Sequence, residues 1–335
     1  MAIRDSKQVV HLDTKDWIEL ARGYYGRVPD LQRIARKVVE KSESGQAIFP
    51  LSITHFDETA RNVNRERRKR LAEYMVLVSQ GWAILPAPFI VEPEIEDACL
   101  KHLGLPRYDL QNFAIKKMPV SQLVGAKADI EIEDRDPSNL LPEDRKQQLK
   151  ECLLEKVETP ETLLFLIEQG LDHPETKNMQ KDSMETAKKL EQMRSLESRT
   201  IRDNDLRRRV TLANYLVTVV NPKVVKFLLS IRVNPKIFAD EVLSDQEKII
   251  RFFQSMPTSY CAVQLTLYRD MQRTRKIQPN DLNDIMSLSI AIPYSDVVVT
   301  ETMWQRAIIQ TKLSELRPTL VLRSAEELGP ILELD

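Results

Sequence analysis

The chain has 335 residues, too many for one small core, and its 42% apolar content is that of one large globular domain or two. Its 49 basic and 50 acidic residues nearly cancel, so the net charge of −1 decides nothing about a nucleic-acid partner, which would have to be met by local patches. Three scattered cysteines (Cys99, Cys152, Cys261) speak against a disulfide frame or a thiolate zinc site, no histidines share H-x-x-x-H spacing, and neither a signal region nor a bilayer-length apolar run is read. The expected setting is a reducing cytoplasm without membrane contact.

From the N-terminus, QVVHLD reads as a short buried strand ending at Asp13, and Trp17, Ile18, Leu20 and Ala21 open a helix. Asp30 reads as the cap of a second helix that stops near Gly45. AIFPLS is a second strand. One long helix follows, carrying Phe56, Ala60, Val63, Leu71, Tyr74, Met75 and Val78 as far as Gly81. WAILPAP is a third strand, cut off by Pro86 and Pro88.

Residues 91–275 change texture. Helical spacing joins Leu149, Leu153, Leu154 and Val157, then Leu163, Leu164 and Ile167 before Gly170, and 182–220 holds no proline or glycine. Further helices are expected at Val224–Ile231, Gln246–Gln254 and Tyr260–Met271, and the acidic stretch 131–145 reads as an exposed loop. The last stretch returns to alternation, with a helix from Leu282, a strand Val297–Val299, a helix Met303–Leu316 and a strand Thr319–Leu322. Strand–helix alternation at both ends predicts an α/β fold with a central parallel sheet closed by sequence-distant halves. Residues 1–90 and 276–335 would form one discontinuous domain, and 91–275 a large all-helical insertion.

Ligands of open parallel sheets sit at the carboxyl ends of the strands. There the sequence places Asp13–Thr14, then Glu58 on the helix after the second strand, Asp281 and Asp284 at the start of a helix, and Thr300–Glu301; Asp296 precedes the VVV strand. Carboxylates crowded together repel and bind protons more tightly, and a divalent cation relieves both effects. Oxygen ligands around an open position suit Mg²⁺ or Mn²⁺, which activate water for phosphodiester hydrolysis. Each acid also has a plain structural reading: Asp281 and Asp284 as helix-start acids, Glu58 as a solvated helix face, Asp13 as a turn residue and Glu301 as the start of the last helix.

VVHLDT, PLSITHFDE and NDLNDIMSLSIAIPYSDVVVTE together resemble the PIN-domain (PilT N-terminal-like) nucleases. The resemblance covers about residues 7–90 and 276–325. It implies a PIN-like three-layer fold and a metal-dependent nuclease, an endoribonuclease of toxin or defence type with RNA favoured over DNA. It also implies a homodimer, and an inhibitor or activator protein that controls it. Asp13, Glu58 and Asp284 resemble the family's metal-binding acids, with Asp281 as the competitor of Asp284. Where the family often has an aspartate two residues after the threonine, this chain has Thr302, so Glu301 or Asp296 would serve as the fourth. Thr14 and Thr300 resemble its supporting hydroxyls. Basic residues at Arg61, Arg65, Arg68, Arg273, Arg275 and Lys276 would contact phosphates. Two rivals stand beside this reading: a DNA-directed nuclease with the same acids, and a degenerate module that binds without cutting.

Overall fold

Strand β1 (Gln8–Leu12) forms where the sequence places a run of buried aliphatics, and it is the first of four parallel strands. The computed structural model describes residues 7–62, 64–117, 142, 145–150, 174–201, 203–272 and 274–333. The predicted helices through Leu153–Val157 and Leu163–Ile167, most of the loop 131–145, and Val63, Cys152 and Arg273 lie outside the described residues.

The parallel sheet runs β2 (Ala47–Ile48), β1, β5 (Val297–Val299), β6 (Leu320–Leu322). Its central pair joins the two ends of the chain, with Val10, His11 and Leu12 against Val297, Val298 and Val299. The expectation of a parallel sheet closed by distant halves is met. Beyond β2, Leu51 bridges to Ala83 of β3 (Trp82–Ile84) in parallel; the Leu51 amide donates to the Trp82 carbonyl (3.0 Å) and the Ile84 amide to the Leu51 carbonyl (2.8 Å). The chain therefore winds outward from β1 through β2 to β3, then restarts on the other side of β1 with β5 and β6. The crevice at the β1/β5 reversal is where such sheets bind ligands.

Both faces of the sheet are covered, as buried parallel strands require. Val10, Leu12, Val297 and Val299 pack with Trp17 and Leu20 of α1 (Thr14–Tyr24), Val38 of α2 (Pro29–Glu43) and Tyr74 of α4 (Arg65–Ser79). On the other face Val298 packs with Leu288 and Trp304, and Val9 with Ile290 and Tyr294. Those partners lie on α13 (Asn280–Tyr294) and α14 (Thr302–Gln310).

Several expectations need correction. The long helix after β2 is two helices, α3 (Ile53–Ala60) and α4; the chain breaks because the Asn62 side chain accepts from the Asn64 amide, and Asn64 in turn caps α4 by accepting from the Arg67 amide. Helix α2 starts two residues earlier than read: Val28 is the cap, Pro29 fits the first helical turn with its fixed φ, and Asp30 lies inside that turn rather than capping it. The middle of the chain is not all helical. After α5 (Ala87–His102) and α6 (Leu110–Ala114) comes β4 (Ile115–Lys117), antiparallel to β3. Further on are α7 (Pro174–Thr200), α8 (Asn204–Tyr215), a π-helical turn 216–220, α9 (Asn221–Ser230), α10 (Pro235–Val242), α11 (Gln246–Gln254) and α12 (Pro257–Met271). The helix expected over 303–316 ends at Gln310, and a separate turn α15 (Leu313–Leu316) follows Lys312 in the left-handed region.

One helical run, Asn204–Ser230, is long and apolar enough by length and composition to cross a membrane, which the sequence reading does not register. It carries Arg207, Arg208 and Arg209, and its Val220, Val224 and Leu228 pack into the helical core.

A buried carboxylate ties the middle helices to the sheet's covering helix. Glu94 of α5 accepts from the Thr258 amide (3.0 Å) and hydroxyl (2.6 Å) at the start of α12 and from the Tyr294 hydroxyl (2.6 Å) of α13. Burial nevertheless raises its pKa to about 7.

Helices α1 and α2 meet at Gly23, where an added Cβ would stand 2.8 Å from the Leu31 carbonyl carbon, oxygen and Cβ. Backbone cannot yield there as a flexible side-chain tip would. Gly23→Ala should therefore destabilise the fold by about 1–3 kcal/mol, read as a lower denaturant midpoint; an unchanged midpoint would show that the two helices can separate freely.

Candidate active site

The two central strands end side by side. The Asp13 amide donates to the Val299 carbonyl (3.0 Å), and the Thr300 amide to the Leu322 carbonyl (3.0 Å), so β1, β5 and β6 are still laddered where their side chains leave the sheet. Asp13 stands before α1 and Glu301 before α14, both with extended backbone. Thr14 and Thr300 are buried beside them. The sequence expectation placed these four residues at this rim, and the fold does so.

Glu58 arrives from α3. That helix starts at Ser52, whose amide donates to His55 Nδ1 (3.1 Å) and whose hydroxyl bonds that of Thr54 (2.7 Å). One turn further, Glu58 receives hydrogen bonds from the Thr14 and Asn283 side chains. His55 itself is buried, stacked on His11 at 5.3 Å between ring centroids, with its pKa pushed down to about 4 by burial. Asp284 arrives from α13, and the indole Nε1 of Trp304 donates to its Oδ2 (2.8 Å).

Electrostatics shows that the acids from the two chain halves face one another. Burial, then the charges of Glu58 and Glu301, raise the pKa of Asp13 to about 7. Burial, then the charge of Asp13, raise that of Asp284 to about 8, with Glu58 and Glu301 adding to the rise and the Trp304 hydrogen bond opposing it. Glu58 is raised chiefly by burial, against the hydrogen bonds from Thr14 and Asn283 and the charge of Arg61. Asp13, Glu58, Asp284 and Glu301 therefore form one electrostatic unit, with Glu301 on its solvent side.

Two other predicted ligands are not part of it. Asp281 is buried and holds Arg275 through two hydrogen bonds of 2.6 and 2.5 Å, while also accepting from the Gln278 amide (2.8 Å). Its oxygens are occupied, which leaves Asp284 as the helix acid of the rim. Asp296 lies at the amino end of β5, the opposite edge of the sheet, where it accepts from the Val9 amide (2.8 Å). It cannot reach acids that follow the strands' carboxyl ends.

The basic residues divide in the same way. Arg275 is oriented by Asp281 and also feels the charges of Asp284 and Glu301, so its guanidinium borders the acids. The strap that carries it is gripped by α7: Arg194 donates to the carbonyls of Arg275 (2.7 Å) and Gln272 (3.3 Å), and Glu191 accepts from the Ile277 amide (2.9 Å). Lys276 on that strap is exposed. Arg61 pairs with Asp57 and reaches Asn280 (3.5 Å). Arg65 is exposed at the start of α4. Arg68 is buried and donates to the Asn62 carbonyl (2.5 Å), which removes it from any phosphate contact.

Sequence reasoning missed three contributors. Asn283 donates to Glu58 and to Asp57 (3.0 Å), and Trp304, whose size marks it as a wall or core residue, is a donor to the rim. Asp16 is buried behind Asp13, accepts from the Ala325 amide (2.8 Å) and is raised to about 7 by burial and then by Asp13. Only the position of Asp16 within one turn of Asp13 could have signalled it.

Among the described residues no three His, Cys, Asp or Glu side chains already converge as a metal-ligand set. The donor chemistry still fits a hard divalent cation: the rim acids are all oxygen donors, their charges raise the proton affinity of Asp13 and Asp284, and they leave a solvent-facing side at Glu301. No family model, curated protein or solved structure matches the chain.

Because the folded pKa values of Asp13 and Asp284 lie above the ordinary 3.8, the native state holds protons that the unfolded chain has released. Their contribution to stability is full below about pH 4 and is lost as pH rises through about 7 to 8. In chelator, melting temperature should fall across that window. Asp284→Asn should flatten the slope, and Mn²⁺ should raise the wild-type melting temperature most at the alkaline end; equal slopes for wild type and variant would remove Asp284 from the coupled set.

Proposed function

We propose that the chain is a divalent-metal-dependent nuclease with a PIN-like fold, acting on RNA in preference to DNA. The observation that carries this reading is the convergence of Asp13, Glu58, Asp284 and Glu301 on the β1/β5 reversal of a parallel sheet, beside the fixed guanidinium of Arg275. The outward winding of the sheet from β1 and the placement of the acids after β1 and β5 and on two flanking helices support the PIN-like assignment.

Asp13, Glu58 and Asp284 would hold Mg²⁺ or Mn²⁺, with Glu301 completing the set from the solvent side. Bound there, such an ion supplies an activated water and neutralises phosphate charge. The protein's own groups do the positioning. Thr14 and Asn283 orient Glu58 and favour its ionised form against the burial that raises its pKa, and Trp304 fixes the rotamer of Asp284 by its indole hydrogen bond. Arg275, locked bidentately by Asp281, presents its remaining donors to a phosphate oxygen and stabilises negative charge that develops at phosphorus. No side-chain nucleophile is required.

A second reading, a PIN-like module that binds nucleic acid without cutting, draws on Thr302 at the position of a frequent family acid and on the lack of a ready ligand set among the described residues. One assay separates the two. Labelled single-stranded RNA and DNA of the same sequence are incubated with wild type, Asp284→Asn or Arg275→Lys, in Mn²⁺, Mg²⁺ or chelator. Cleavage of RNA should require metal, fall to background in Asp284→Asn, and drop about 100-fold in Arg275→Lys, which keeps the charge and loses the bidentate fork. Faster cutting of DNA would reverse the substrate assignment. Intact RNA under every metal, from folded protein that still binds it, would establish the binding module.

A further inference from the structure

A cavity of about 310 Å³ opens between the C-terminal half of α1, the turn after it, and the start of α4. Arg22, Arg27, Arg67 and Arg70 line it, together with Tyr25 and Asn62, and no carboxylate does. Arg70 pairs with Glu66 (2.8 Å). Among the described residues no carboxylate lies within ion-pair distance of Arg22, Arg27 or Arg67, and all three are exposed. Guanidinium groups gathered around a concavity repel one another, so their common ligand is anionic.

The chemistry narrows further at Tyr25. The residue is 38% exposed and it is held in place. The hydroxyl donates to Glu73 (3.2 Å), the ring stands edge-on to Tyr24 at 5.3 Å, and the Arg70 guanidinium lies 6.0 Å from its centroid. A fixed, partly open aromatic ring beside phosphate-binding arginines is the pairing by which proteins hold an unpaired nucleotide. The pocket shares α1 with the rim and borders the end of α3. Asn62 follows Glu58 by about one helical turn, and Arg22 lies eight residues along α1 from Thr14, about 12 Å away.

We propose that this arginine pocket is a second binding subsite for single-stranded nucleic acid, taking backbone phosphates on Arg22, Arg27 and Arg67 and stacking one base on Tyr25, a few nucleotides from the strand's position at the acid rim. Its register relative to the cut rests on the nuclease reading of that rim, whereas binding itself does not.

The test uses the whole chain in chelator, where binding is measured without cleavage. Fluorescence anisotropy is read with a labelled single-stranded RNA long enough to span pocket and rim, for wild type, Arg22→Ala/Arg27→Ala, Arg67→Ala and Tyr25→Ala. The double arginine variant should bind at least about 10-fold more weakly, with a shallower salt dependence, by about one counterion for each phosphate no longer neutralised. Tyr25→Ala should weaken binding about 5- to 100-fold with an unchanged salt slope. Unchanged affinity and slope in arginine variants of native circular dichroism would overturn the proposal. So would displacement of the RNA by inorganic phosphate at concentrations comparable to the oligonucleotide, which would make the pocket a small-anion site, or tighter binding of duplex than of single strand. Arginine-dependent binding by a protein that never cuts would leave the subsite standing and sink the nuclease reading alone.

Discussion

The ladder between β1 and β5 is the interaction on which the rest of the molecule depends. It joins Val9 to Asp296 across 287 residues, and its register sets Leu12 beside Val299, which brings Asp13 and Thr300–Glu301 onto one edge. Closing so long a loop carries a large entropic penalty. The offset comes from strands whose aliphatics are almost wholly removed from water on both faces, Val10 and Leu12 from one side of the chain and Val297, Val298 and Val299 from the other. The acid rim has no existence before that closure, because neither half contains it. The helices of the middle region are attached to this ladder indirectly, through α13, which covers it and shares Glu94 with α5 and α12.

Glu94 also shows what the rim acids are not. It is buried, and its pKa is raised to about 7, as is that of Asp13. The causes differ. Glu94 is raised by burial while the Thr258 amide and hydroxyl, the Ser259 amide and the Tyr294 hydroxyl oppose the rise, whereas Asp13 and Asp284 are raised further by the charges of neighbouring rim acids. A perturbed carboxylate is a sign of function only when its partners leave the charge unresolved. At the rim, Thr14, Asn283 and Trp304 orient the oxygens without neutralising them, and the nearby Arg275 is pulled toward Asp281.

The central features were legible because they are local. VVHLD and DVVVTE state a buried strand and the acid after it, and both strands form where the aliphatics are. What the sequence left open was decided by side chains meeting across space. Asp281 and Asp284 are one turn apart on one helix, and only the fold shows that the first faces Arg275 and the second faces Asp13. Asp296 looked equivalent to Glu301 because both flank VVV, but a strand carries its two ends to opposite edges of the sheet. Strand β4 escaped notice because IKK alone is too short and too basic to signal pairing, and its partner β3 supplies the apolar context. Trp304 reads as core from its size; its indole donor gains meaning only once Asp284 stands opposite.

The two asparagines that interrupt the chain between α3 and α4 have a consequence for how the rim acids are kept apart from the chain's own cations. Arg61, Arg65 and Arg68 follow Glu58 by three, seven and ten residues, the spacing of a single stripe on an unbroken helix. Run straight on, that stripe would have laid a row of tethered guanidinium groups beside Glu58, permanent competitors for its oxygens whose effective concentration no dissolved cation could match. With the interruption, Arg61 is engaged with Asp57, while Arg68 is folded back under the Asn62 carbonyl. Two small amides thus separate an acidic surface from its own counter-charge, and the access they preserve is electrostatic rather than steric.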